Sequence, residues 1–138
     1  MSRRDVIHSA VVNALVKDGW TITDDPFYIE YEELTLAADL GAERPLAAAR
    51  DNEKIVVEVK SFIKRSPVQD LKDALGQFLL YRGYLAETDP EHTLYLAIPS
   101  RVYNEFFTQK AVLFVTNLYK VPIIAVDLTN EEIVLWKK

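Results

Sequence analysis

The feature that most narrows the fold is a set of three short apolar runs separated by two long helical ones. Residues 54–62 (KIVVEVKSF), 93–98 (TLYLAI) and 121–126 (VPIIAV) are rich in β-branched and aliphatic residues, and they read as strands. Between the first two stands Ser66-Pro67-Val68-Gln69. The serine can cap a helix, the proline suits its first position, and the glutamine completes a capping box. That helix is expected to run to about residue 86, where Thr88-Asp89-Pro90 breaks it. A second long helix is expected from Pro99-Ser100 to about Lys120. Strand, helix, strand, helix, strand in that order calls for crossovers, and crossovers of this length join parallel strands.

Upstream the pattern changes. Ile7, Val11, Ala14 and Leu15 recur at helical spacing within residues 2–18, with Ser2 as cap and Gly19 as stop. Short β-prone runs follow at 20–23, at 27–31 after the Asp24-Asp25-Pro26 turn, and at 34–40. Residues 46–50 and 54–62 flank Asp51-Asn52, which reads as a hairpin turn, and 133–136 close the chain as a strand. Antiparallel hairpins followed by crossovers make an α/β protein, a mixed β-sheet flanked by α-helices. With 138 residues, no repeat and no linker, the chain is expected to form one domain over residues 1–138.

Within KIVVEVKS, Glu58 and Lys60 interrupt an otherwise apolar run. Burying a charge costs several kcal/mol unless it is paired or holds a metal. Alternation puts Val57 and Val59 on one face and Val56, Glu58 and Lys60 on the other, with the two charged residues roughly 6.5 Å apart. Asp39 sits the same way in LTLAADL. If the two strands are neighbours, Asp39 and Glu58 converge with Lys60 beside them. Two semi-buried carboxylates repel, and Mg²⁺ (or Mn²⁺), a hard ion that accepts carboxylates, resolves the conflict. Lysine could then orient water or stabilise charge on a phosphate. The competing account is a solvent-exposed Glu-x-Lys pair.

Composition limits the partners. The net charge is −5, the reverse of what a protein coating DNA by counterion release carries. Any nucleic-acid contact must come from a local patch, a metal or a partner. Arg3-Arg4 and Lys64-Arg65 are the basic pairs available for a patch. The absence of cysteine excludes disulfides and thiolate metal sites and suits a reducing cytoplasm. No run approaches the ~18 apolar residues of a membrane span. A cytoplasmic location is expected.

Asp39 followed nineteen positions later by Glu58-Val59-Lys60 resembles the PD-(D/E)xK signature of restriction-endonuclease-like nucleases. DLGAERPLAAARDNEKIVVEVKSF, ALGQFLLYRGYL and TLYLAIPSRVYNEFF together resemble the XisH family, the fdxN element excision controlling factors. The resemblance spans Arg4 to Trp136. It implies a restriction-endonuclease-like fold and a role in programmed excision of a DNA element by a recombinase, alongside XisI and XisF companions. On it, Asp39 matches the first acid, Glu58 the second and Lys60 the lysine, with Asp39 and Glu58 as metal ligands. Gln77 falls in the following helix, where related nucleases place a glutamine facing the site. Related nucleases also use an acid on the first helix, which brings in Asp5 and, one turn on, His8. An acid early in a helix also simply favours the dipole. His92, in the Pro90-Glu91-His92 turn, reads as a surface residue.

The chain departs from the pattern in two places. Ala38 stands where the strict signature has proline, and Ala49 stands where relatives commonly carry an acid in the hairpin strand. Two readings therefore stay open. One is a divalent-metal-dependent DNA endonuclease, for which a symmetric homodimer would present two sites to two strands. The other is a catalytically silent nuclease fold, kept as a regulatory module that binds an XisI-like partner and assists a recombinase. Tyr81, Tyr84, Tyr103, Phe106 and Phe107 suit an interface on that second reading, or a core.

Overall fold

The protein, a computed structural model, is described over residues 3–45, 52–64 and 66–138, without the side chains of residues 3 and 4. The expected cap at Ser2, the strand at 46–50, Ala49, Asp51 of the turn, Arg65 and the Arg3-Arg4 side chains lie outside the described residues.

Helix α1 (Arg3–Lys17) ends as its glycine predicts. Gly19 adopts φ +91, and the N–H groups of Gly19 and Trp20 bond the carbonyls of Val16 and Leu15. This is the paired closure that satisfies the last carbonyls of a helix around a left-handed residue. Strands β1 (Thr21–Asp24) and β2 (Phe27–Tyr31) follow.

The expected strand at 34–40 is two strands. β3 (Leu34–Ala38) pairs antiparallel with β2 in a small separate sheet, while β4 (Leu40–Pro45) pairs with β1 and with β5 (Asn52–Val59). Asp39 is the hinge between the sheets. Nothing in LTLAADL marks the break, because no Gly or Pro is present and the apolar pattern runs through it. The change of partner is a tertiary event. Among the described residues the antiparallel partner of β5 on this side is β4, with Pro45 opposite Asn52.

Helix α2 (Pro67–Thr88) starts as expected: Ser66 Oγ accepts the Gln69 N–H at 3.1 Å and Pro67 occupies the first turn. Only half of the capping box forms, since the Gln69 side chain donates to Asp73 at 3.0 Å. β6 (His92–Pro99) then pairs parallel with β5, and β7 (Ile123–Asp127) parallel with β6. β8 (Glu132–Lys137) closes the chain antiparallel to β7. The large sheet has the order β1-β4-β5-β6-β7-β8. This is the mixed, helix-flanked α/β sheet that the alternation of elements predicts.

The second long helix is broken into α3 (Ser100–Val102), a π-helical turn at Tyr103–Phe107 and α4 (Lys110–Leu118). Gln109, with φ −66 and ψ 140, is extended and interrupts the ladder. The wide turn accompanies the burial of two adjacent rings, Phe106 and Phe107, on one side.

Both faces of the large sheet are covered. Ile55, Val57, Tyr95, Ala97, Ile124 and Val126 pack against Val11, Ala14 and Leu15 of α1. Val56, Leu94, Leu96, Ile98 and Ile123 pack against Phe78 and Leu85 of α2, Phe106, Phe107 and Val112, with Phe27 and Ile29 of the small sheet. Tyr81, Tyr84 and Tyr103 lean on that same cluster. Phe106 and Phe107 are core, and the three tyrosines are partly buried at its edge. Among the described residues no helix is long and apolar enough to cross a membrane.

Candidate functional site

The alternation along β5 fixes the site's direction. Ile55 and Val57 face α1, Val56 and Glu58 face α2. Leu40 pairs with Val57, so Asp39, one residue earlier, emerges beside Glu58. The two acids hold each other through the backbone. Glu58 Oε1 accepts the Asp39 N–H at 3.2 Å, and Asp39 Oδ2 accepts the Val59 N–H at 2.7 Å. The sheet-switching hinge is thereby pinned to the end of β5.

Glu58 is only 6% exposed. Gln77, from α2, donates its Nε2 to Glu58 Oε2 at 2.5 Å, and Lys60 Nζ stands 3.5 Å from the same oxygen. Lys60 lies just beyond the end of β5, yet its N–H bonds the Ala97 carbonyl and continues the parallel ladder for one residue. The Glu58 carboxyl is pushed up from 4.5 to about 7. Burial is the main cause, the negative Asp39 adds to it, and Lys60 opposes it. Tyr81, one helical turn beyond Gln77, donates its hydroxyl to the Ala37 carbonyl at 3.4 Å, and burial pushes its phenol upward.

These groups border an open cavity of about 490 Å³. Asp39, Glu58, Lys60, Gln77 and His8 all line it, so these five candidates read from the sequence meet at one place. His8 reaches the rim from α1 with Nε2 at 3.0 and 3.1 Å from the two Asp25 oxygens. Asp5 is exposed and not part of the lining.

Sequence reasoning did not foresee Asp25 as the partner of His8, because a turn acid carries no signal for a helix 17 positions away. Asp70 shares a three-to-four spacing with Asp73 and Gln77 along α2, and it is 9% exposed, lines the cavity, and its Oδ2 has no hydrogen-bond partner. His92 is the clear correction among the polar residues: its side chain is 12% exposed, tilted against the Phe27 ring, and is no surface residue. The β-bridge that buries it is a long-range contact.

The cavity is lined by the acids Asp39, Glu58, Asp70 and Asp73 against the cations Lys60 and Lys64. Lys64 is 72% exposed and lies 3.8 Å from Asp73. A paired set of hard oxygen donors, with surplus negative charge and one carboxyl driven upward chiefly by burial and then by Asp39, suits a hard divalent cation such as Mg²⁺ or Mn²⁺.

The chain matches the sequence profile of the family described as XisH protein over residues 1–134. Two crystal structures are similar over nearly its whole length. An XisH family protein from Nostoc punctiforme is 39% identical, with 97% of this chain and 100% of that one covered and a TM-score of 0.89. A fdxN element excision controlling factor protein from Anabaena variabilis is also 39% identical, with 98% and 100% covered and a TM-score of 0.88. No curated protein matches. The matched profile, the shared identity and the common mixed α/β architecture together make this chain a member of the XisH family, which is linked to control of fdxN element excision.

Proposed function

We propose that the chain serves DNA-element excision through a nuclease-like site of PD-(D/E)xK type that holds Mg²⁺ or Mn²⁺ on Asp39 and Glu58. The observation that carries this reading is the convergence of Asp39, Glu58, Lys60 and Gln77, from separate elements, on one open cavity. A buried carboxylate held beside a second acid is costly to maintain for stability alone.

On this reading each side chain has a task. Asp39 and Glu58 hold the cation, whose chemistry is polarisation of a DNA phosphodiester and activation of water. Gln77 Nε2 orients the Glu58 carboxylate. Lys60 Nζ faces the cavity wall and stabilises charge that develops on phosphate oxygens. His8, steadied by Asp25 at the rim, contacts the phosphate backbone as a positioning group. The restriction-endonuclease-like affiliation is part of the proposal.

The net charge of −5 and the acidic lining favour a second element: DNA is presented with a partner's help, an XisI-like protein or the recombinase itself, or by a homodimer. If catalysis is absent, the same surface remains as a regulatory module of that assembly.

Calorimetry with Mn²⁺ tests the foundation. Binding is expected in the unsubstituted chain and should vanish in Glu58→Ala. Divalent-dependent nicking of plasmid or branched DNA is then expected, and it should be lost in Glu58→Ala and Lys60→Ala. Metal binding without cleavage, with a stable complex with the partner protein, would select the silent module. No metal binding at all would sink the site as described.

A further inference from the structure

A second group of ligand-bearing side chains lies far from the cavity, in the turn between α2 and β6. Asp89, Glu91 and His92 each offer one ligand atom, and these atoms all lie within 4.8 Å of one another. His92 pairs with Lys54 at the start of the parallel β5–β6 ladder, whereas Glu58 is four residues further along β5. At about 3.3 Å per residue the turn is roughly 13 Å from the candidate site.

The turn is rigidly built. The Asp89 N–H closes α2 on the Leu85 carbonyl at 2.7 Å, and the His92 N–H returns to the Asp89 carbonyl at 3.0 Å. The Phe27 ring, 5.1 Å from the imidazole between centroids, fixes the ring from the core side. Yet His92 Nδ1 is wholly buried and has no hydrogen-bond partner. Its nearest anion, Glu91 Oε1, stands at 3.6 Å, beyond hydrogen-bond reach. A buried ring nitrogen that the fold orients so closely and leaves unsatisfied needs an explanation.

We propose that this turn is a transition-metal site, taking Zn²⁺ or a similar borderline ion on Asp89, Glu91 and the Nδ1 of His92. One imidazole nitrogen with two carboxylate oxygens suits Zn²⁺, Co²⁺ or Ni²⁺ and sets the site apart from Mg²⁺, which prefers oxygen alone. Glu91, with a half-exposed side chain, swings aside to admit the ion. Water completes the coordination. The ion then clips the end of α2 to the start of β6.

The test is Zn²⁺ titration of the full chain in an Asp39→Ala/Glu58→Gln background, so the result is independent of the nuclease-like site. The chain has two histidines, so long-range proton–nitrogen spectra distinguish them. One equivalent of Zn²⁺ should bind, moving the His92 Nδ1 signal to the metal-bound range and leaving His8 unchanged. Asp89→Asn should weaken binding by about tenfold or more, as expected for a lost ligand. His92→Gln should abolish it. The proposal is overturned by absent uptake, by uptake unaffected in Asp89→Asn, or by a shift at His8 instead. Should His92→Gln fail to fold for loss of the Phe27 contact, the spectra and the Asp89→Asn titration decide alone.

Discussion

The buried Glu58 gives the protein a stability that should depend on pH in a defined direction. Its carboxyl is pushed up from 4.5 to about 7, chiefly by burial and then by Asp39. In the unfolded chain it titrates near its ordinary value. Between those two pH values the folded protein therefore holds a proton that the unfolded chain has lost. The contribution is fully present below about pH 4.5 and is lost as pH rises through 7. A shift of about 2.5 pH units at 1.36 kcal/mol each is about 3 kcal/mol. The side chain is only 7% exposed, so little screening applies. Glu58→Gln keeps the shape and removes the titration. Lys60 remains partly hydrated at 29% exposure and loses little with its partner.

Thermal unfolding of both proteins from pH 5 to 8, with chelator present, is the assay. The Gln variant should match or trail the parent at pH 5 and exceed it at pH 8 by about 3 kcal/mol, roughly 10 °C in Tm for a chain of this size. The difference between the two proteins cancels the titrating groups that do not interact with Glu58. A difference that stays constant from pH 5 to 8 would refute the argument, because Glu58 would then ionise as though it were exposed. Adding Mn²⁺ at pH 8 should restore the parent and leave the variant unmoved, by the mass-action gain of a ligand that binds only the folded state.

Gly41→Ala should destabilise the fold by about 1–3 kcal/mol, since a Cβ there would come within 2.7 Å of the buried Phe27 ring. Urea unfolding measures it, and a neutral result would mean that the small sheet can slide. Ser66→Ala should cost about 1 kcal/mol through the lost bond to the Gln69 N–H, whereas Ser66→Asp should be nearly neutral. Gln77→Leu removes the donor that favours the charged Glu58, so the midpoint of the Glu58 titration should move to higher pH in carboxyl-labelled spectra. A midpoint unchanged or lowered would show that Gln77 does not support the carboxylate.

Much of the architecture can be read from local signals. Gly19, Ser66-Pro67 and the apolar alternation of residues 54–59 report backbone preferences that act within a few residues, and α1, α2, β2 and β5–β7 form where those signals place them. The face that carries Glu58 follows from alternation alone, because Val57 and Val59 must oppose it on any pleated strand. Its position as a lone acid in an apolar run marked Asp39 as the companion, and the family resemblance supplied Gln77. Only the tertiary structure decided the rest. Asp39 became a hinge because two separate sheets claim the residues on either side of it, and a change of pairing partner leaves no mark in an apolar run. The helix after Ser100 widened into a π turn where Phe106 and Phe107 are buried and broke at the extended Gln109, with no Gly or Pro to announce it. His8 found Asp25, and His92 went inward against Phe27, through contacts between segments distant in the chain. Spacing in sequence named the charged residues; the pinning of Asp39 to β5 and the packing of α2 on the sheet brought them to one cavity, because distances between elements are set by pairing and burial, not by local preference.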